Sequence, residues 1–236
     1  MLNVAVLCSK RAPGLEALLQ HSEFNVVCVM TTEAEFPECG VPVIAHPIRP
    51  SVILSRADGE GPVASSSASA GNGSFGVCAP QDDTARRVRR LQYDADTAAL
   101  LVTLGVDAVI CLGYLYVLTE PMLSAFPDRI FNIHDADVSH RRYPGLHATR
   151  DTILAGERFT RSSAHIVTAD VDAGPVVAVS RDYPVSPLVR DALRWNAIDI
   201  IRAYAYAQRE WMMRDSWGDL AAQALAYAAA PEEAFA

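Results

Sequence analysis

No apolar run in this sequence approaches the ~20 residues that a bilayer-crossing helix needs. Nor does a basic stretch precede the apolar N-terminal segment MLNVAVLCSKR, as a secretory leader would require. Membrane insertion and export are therefore not expected. Positive charge is scarce as well: Lys and Arg number 20 against 28 Asp and Glu, for a net charge of -8 and a pI near 5.2. Nucleic-acid backbones are held by clustered cations. The longest cluster here, Arg86-Arg87-Val88-Arg89-Arg90, is short and lies among acids, so it reads as a solvated helix face. The five cysteines (Cys8, Cys28, Cys39, Cys78, Cys111) are odd in number and contain no CxxC pair. That speaks against a disulfide framework and against a zinc signature, and no metal is expected. Three of them lie inside apolar runs, where a thiol acts as a small hydrophobe. A reducing cytoplasm is the expected compartment.

What is present is half apolar. Hydrophobic residues make up 50% and charged ones 20%, over a length that can bury one substantial core. Leu2 to Cys8 is β-branched and apolar, a Ser-Lys-Arg-Ala-Pro-Gly break follows, and Leu15 to Leu19 has helical spacing. Phe24 to Met30 and Val41 to Ile44 are further apolar runs. Strand, helix and strand at this spacing argue for a βαβ unit, and uniformly apolar strands for a parallel sheet covered on both faces. Tyr93 to Leu104 reads as helix, Asp107 to Leu112 and Ile130 to His134 as strands, and Leu146 to Ala155 as a helix closed by Gly156. His165 to Thr168 and Val176 to Ser180 read as two strands joined by the turn 169–175. The expected fold is α/β: a Rossmann-like three-layer arrangement with a mostly parallel sheet and an antiparallel edge, plus C-terminal helices over 187–230. Residues 55–83 contain a small, polar stretch with nothing to bury, expected to be a flexible insertion within one domain spanning 1–236.

Three segments could carry chemistry. Asn132 and His134 are two apart at the end of a strand, so their side chains share a face, at the strand end where open α/β sheets bind ligands. Arg142 to Arg150 contains Tyr143-Pro144-Gly145, a tight turn leading into a helix. Asp170-Val171-Asp172-Ala173-Gly174-Pro175 places Asp172 on a turn between strands. Taken singly, each is also explained as a strand end, a helix start or an Asx turn.

In the order N-I-H, then Y-P-G-L-H-A, then D-x-G-P, they resemble the formyltransferase family that includes phosphoribosylglycinamide formyltransferase and the catalytic domain of methionyl-tRNA formyltransferase. The resemblance extends to the N-terminal strand-loop-helix, to Tyr93-Asp94 at the opening of a helix, and to Leu112-Gly113-Tyr114. It implies Asn132, His134 and Asp172 as catalytic residues. It also implies a folate pocket built from 112–118 (Leu112, Gly113, Tyr114, Leu115, Val117, Leu118) and 168–174 (Thr168, Asp170, Gly174), with 10-formyltetrahydrofolate as formyl donor. The residue types suit that chemistry: an amide and an imidazole can donate to the formyl oxygen as charge grows on it. Asp172 would favour the charged imidazole and relay the amine's proton.

The chain departs from the family at two places. Asp135-Ala136-Asp137 follows the N-I-H motif where Pro-Ser-Leu is usual; these carboxylates would suit a cationic amine, or be solvated. Ser9-Lys10-Arg11-Ala12-Pro13-Gly14 stands where a glycine-rich phosphate loop is usual, which leaves Lys10 and Arg11, with Gly14, at a helix N-terminus as the expected acceptor contacts. Gly71-Asn72-Gly73-Ser74 spells that loop but lies in the insertion. A basic residue expected near Tyr116 is absent from the segment.

A small-molecule amine is the expected partner, phosphoribosylglycinamide first and an amino sugar or amino-acid derivative second. Transfer to initiator tRNA would call for a basic C-terminal domain in place of this alanine-rich tail, and a deformylase for a further N-terminal domain. Two other classes remain open. One is a metal-dependent hydrolase on His134, Asp135, Asp137 and His140; the other is a folate-binding module without turnover. Oligomeric state is not legible.

Overall fold

β1 (Leu2–Cys8) is the third strand of a seven-stranded sheet in the computed structural model, which describes residues 1–48, 81–139 and 142–230. On one side of β1 lie β2 (Phe24–Thr31) and β3 (Val43–Ala45); on the other lie β4 (Ala108–Cys111) and β5 (Ile130–His134), all parallel. β7 (Ser163–Ile166) and β8 (Val176–Val179) then add an antiparallel edge, and β6 (Phe159–Thr160) pairs apart with β9 (Tyr183–Pro184). Strand order reverses between β1 and β4, which makes the loops after those strands the natural ligand crevice.

Alternation along β1 shows why its run is apolar throughout. Val4, Val6 and Cys8 face one layer, with α1 (Leu15–Leu18) and α6 (Ile198–Ala229). Ala5 and Leu7 face the other, where α2 (Gln81–Thr103) and α3 (Glu120–Ala125) pack. Both faces are dry, as the sequence pattern predicts. Trp217, Leu220, Ala221 and Leu225 of α6 belong to the first layer's core, so the C-terminal helix covers the sheet. A smaller core joins α4 (Ala148–Leu154), α5 (Pro187–Arg194) and α6.

Two expectations are corrected. α2 begins at Gln81, so 81–83 of the expected insertion are helical and Tyr93-Asp94 lies mid-helix; the rest of 55–83 lies outside the described residues. Arg90, expected on a solvated face, is 1% exposed. The expected C-terminal helices are α5 and α6, parted at Asn196, whose φ of 52° is left-handed. Among the described residues no helix is long and apolar enough to cross a membrane.

Candidate active site

The antiparallel register of β5 and β7 sets the site. Asn132 lies directly opposite His165, and His134 opposite Ser163. Cross-strand partners share a face, so the two side chains meet: Asn132 Nδ2 is 3.1 Å from His165 Nε2. His165 Nδ1 is 3.0 Å from the Ile166 carbonyl, which can only accept. The neutral Nδ1–H tautomer satisfies both contacts, with Nε2 accepting from the Asn132 amide.

His134 is 4% exposed, and its Nε2 donates to the Tyr143 carbonyl at 3.0 Å. Its Nδ1 faces Asp172 Oδ2 at 3.7 Å. The other carboxylate oxygen, Oδ1, is 3.7 Å from His165 Nε2. One buried carboxylate therefore stands between two imidazoles. The Tyr143-Pro144-Gly145 turn, with φ of 55° at Tyr143 and 85° at Gly145, orients both partners. Its carbonyl fixes His134, and Gly145 N–H donates to Asp172 Oδ2 at 2.9 Å. Asp172 itself sits at φ 52°. Close by, a Cβ on Gly174 would lie 1.9 Å from the Ile166 carbonyl oxygen, so the turn from β7 to β8 can approach the strand only with glycine there.

Asn132, His165 and Asp172 line a narrow cleft of about 40 Å³. Five of the expected donor-pocket residues line it too: Tyr114, Val117, Leu118, Thr168 and Asp170. The other four do not. Leu112 is wholly buried in the α1–α6 core. Gly113, at φ 75°, lies under Arg11 and Pro13, and Gly174 packs on β7. Leu115 turns into a separate cavity.

Beneath the cleft Arg90 reaches out of α2 with Nη2 3.0 Å from the Tyr114 hydroxyl and 2.8 Å from the Val117 carbonyl. It pairs with Asp94 at 2.9 Å. Burial pushes the Asp94 carboxyl up, and Arg90 draws it back down. The Tyr114 hydroxyl is likewise raised by burial. The Arg90 guanidinium also stands 5.8 Å from the centre of the Tyr116 ring, so the basic group missing from the segment itself arrives from another element.

The acidic loop is neither free nor simply solvated. Asp135, 5% exposed, takes Arg209 Nε of α6 at 2.6 Å, and Thr149 donates to its carboxylate and its carbonyl. Asp137 faces Arg161 at 3.3 Å, and its carboxyl is held below the usual range by Ser139 and Arg161 against the opposing effect of burial. His140 lies outside the described residues. Lys10 is exposed at the end of β1, but Arg11 is engaged by Glu210 of α6. Gly14, at φ 83°, lies so close to α6 that a Cβ would be 2.5 Å from the Gly218 nitrogen. That glycine lets two helices cross.

Sequence reasoning missed His165 and Arg90. The strand Ser163–Ile166 carried a signal for the first: pairing it beside β5 puts His165 on the face of Asn132. Spacing along α2 carried one for the second, because Arg90 is on the stripe of Tyr93 and Thr97.

Known proteins show similarity at the level of sequence and of fold. Over 95 residues, 40% of this chain, it is 32% identical to the trifunctional purine biosynthetic protein adenosine-3 of Drosophila melanogaster, of which the match is 7%. Over 88 residues, 37% of the chain, it is 31% identical to the phosphoribosylglycinamide formyltransferase of Escherichia coli K12, of which the match is 41%. The chain thus spans less than half the length of these relatives. The fold is similar to that of glycinamide ribonucleotide transformylase 1 from Symbiobacterium toebii, with TM-score 0.57, 25% identity, and coverage of 90% of this chain and 86% of that one. The formyl transferase family model matches residues 2–187. The chain belongs to the formyl transferase family.

Proposed function

We propose that this chain transfers a formyl group from 10-formyltetrahydrofolate to the amino group of a small molecule, with phosphoribosylglycinamide the leading acceptor and an amino sugar or amino-acid derivative second. The observation that carries the reading is the Asp172 carboxylate 3.7 Å from both His134 and His165 at the edge of a tyrosine-lined cleft. Cys8, Cys28 and Cys39 are free thiols, in keeping with a reducing, cytoplasmic setting.

The donor fits by chemistry. Tyr114, Tyr116 and Leu118 give flat and aliphatic walls, and Asn132, Asp170 and Asp172 give polar ends, the mixture that holds a ring. The room is small, since about 40 Å³ admits only a few waters. The 168–172 segment therefore moves outward to admit a ring. The bound folate supplies a formyl carbon on a nitrogen leaving group.

Each side chain then has a task. Asn132 uses one N–H on His165 and keeps a second for the formyl oxygen. His134 already carries hydrogen on Nε2, so a proton on Nδ1 makes it cationic, facing Asp172, and able to stabilise charge on that oxygen. Asp172 takes the proton that the attacking amine gives up and passes it to the departing folate nitrogen as the bond from that nitrogen to the formyl carbon breaks. The gaps of 3.7 Å exceed a direct hydrogen bond, and such contacts commonly close only when substrate is in place. A screen of amines with 10-formyltetrahydrofolate, read as release of tetrahydrofolate, tests the reading. Release with phosphoribosylglycinamide is the expected result; no release with any amine, despite folate binding, would overturn it.

A further inference from the structure

A cavity of about 520 Å³ opens next to the catalytic cluster, and it differs from the donor cleft in charge. Leu115 forms one wall. Asp135, which follows His134, and Leu146, which follows the Gly145 amide on Asp172, bring it against the reacting groups. His147 stands at the head of α4, and helices give the rest: Thr149 and Arg150 from α4, and Arg202, Ala205, Tyr206 and Arg209 from α6.

Three guanidinium groups against one carboxylate leave this lining with a surplus of two positive charges, in a chain whose net charge is -8. Arg209 is committed to Asp135. Among the described residues Arg150 and Arg202 reach only Asp151 at 3.2 Å and Asp199 at 3.9 Å. The first pair is partly exposed and the second open to water, and such pairs hold a side chain weakly, so both guanidiniums can turn to a stronger anion. A phosphate monoester carries a charge of about -1.5 to -2 near neutral pH and presents three acceptor oxygens. In place of those two weak partners a phosphate meets both arginines with up to three oxygens, whereas a carboxylate brings two oxygens and a single charge. Meanwhile Arg11, the cation expected to hold phosphate on the β1–α1 loop, is occupied by Glu210.

We propose that Arg150 and Arg202, on α4 and α6, grip the phosphate monoester of the acceptor in place of the β1–α1 loop, with Arg209 held by Asp135. This rests on the formyl-transfer reading and adds to it the seat of the acceptor's phosphate.

Calorimetric titration at low ionic strength tests it, with inorganic phosphate, acetate and tetrahydrofolate as separate titrants. The proteins compared are the full chain, Arg150→Ala, Arg202→Ala, their double variant, and Lys10→Ala/Arg11→Ala. Inorganic phosphate should bind saturably to the unaltered protein, about tenfold more weakly after loss of each charge-assisted arginine contact, and normally in Lys10→Ala/Arg11→Ala. Acetate should bind more weakly than phosphate, and tetrahydrofolate equally in all five. The proposal is overturned if the unaltered protein shows no saturable phosphate binding, a readout independent of any variant's folding. Phosphate binding that survives in the double variant, or that is lost in Lys10→Ala/Arg11→Ala, also overturns it, as does acetate binding as tight as phosphate. Phosphate behaving as stated while tetrahydrofolate fails to bind would instead remove the formyl-transfer reading and leave the anion site in place.

Discussion

The two cavities that meet near Asp172 are built on opposite principles. The donor cleft is about 40 Å³, walled by tyrosines and aliphatic side chains, with the Arg90 guanidinium buried beneath it and bonded to Tyr114, Val117 and Asp94. The neighbouring cavity is about 520 Å³ and presents its cations to solvent. The first suits a flat ring held by contact, the second a charged end held by attraction. Asp172 lines the first, and Asp135 and Leu146, the chain neighbours of His134 and Gly145, line the second. The contrast shows how one catalytic cluster can join a donor and an acceptor of unlike chemistry.

The largest effect falls where the two regions meet. Asp172→Asn and His134→Ala should each lower turnover by about 10²–10⁴-fold while tetrahydrofolate affinity stays nearly constant; equal losses in both quantities would mean these groups shape the cleft and do no chemistry. Next comes the support of the donor side. Arg90→Ala leaves Asp94 buried and unpaired, which typically costs about 3–5 kcal/mol, so the thermal midpoint should fall and folate affinity with it. Gly174→Ala, with its Cβ placed 1.9 Å from a carbonyl oxygen, should cost about 1–3 kcal/mol through overpacking. Retention of full stability there would show that the 168–174 turn has room to shift. A milder test separates the cavities by charge: raising salt from about 50 to 200 mM should raise the acceptor KM several-fold and leave the folate KM flat, because screening acts on exposed charge. The smallest change belongs to Arg11→Ala. Its pair with Glu210 is half exposed, so stability should move by less than about 1 kcal/mol, and the acceptor KM less than in Arg202→Ala.

The strands of the main sheet were legible because a sheet dry on both faces writes itself as apolar runs, and the pair Asn132–His134 because two-residue spacing fixes a common face. His165 escaped for a physical reason. A lone histidine in an apolar strand is indistinguishable from a core residue until its neighbour across the ladder is known. Arg90 was hidden by its company, since four arginines in five positions look like a solvated face although a helix turns one of them inward. The acidic loop was misjudged because its partner, Arg209, lies 74 positions away. Long-range charge pairing leaves no local pattern. Four of the nine expected donor residues serve packing or another cavity, since a motif marks a segment while alternation along it decides which side chains look into the cleft.

α6 has a consequence of its own. At 32 residues it is about 48 Å long. Along that length it touches the β1–α1 loop through Glu210 and Gly218, the catalytic strand's exit through Arg209, and β7's approach through a Trp217 indole bonded to Ser162. The stretch recognised by the family model stops at residue 187, before this helix begins. Cutting the gene at that boundary would strip one face of β4, β5, β7 and β8 and leave insoluble protein, whereas grafting a relative's C-terminus there would exchange acceptor preference without touching a catalytic side chain.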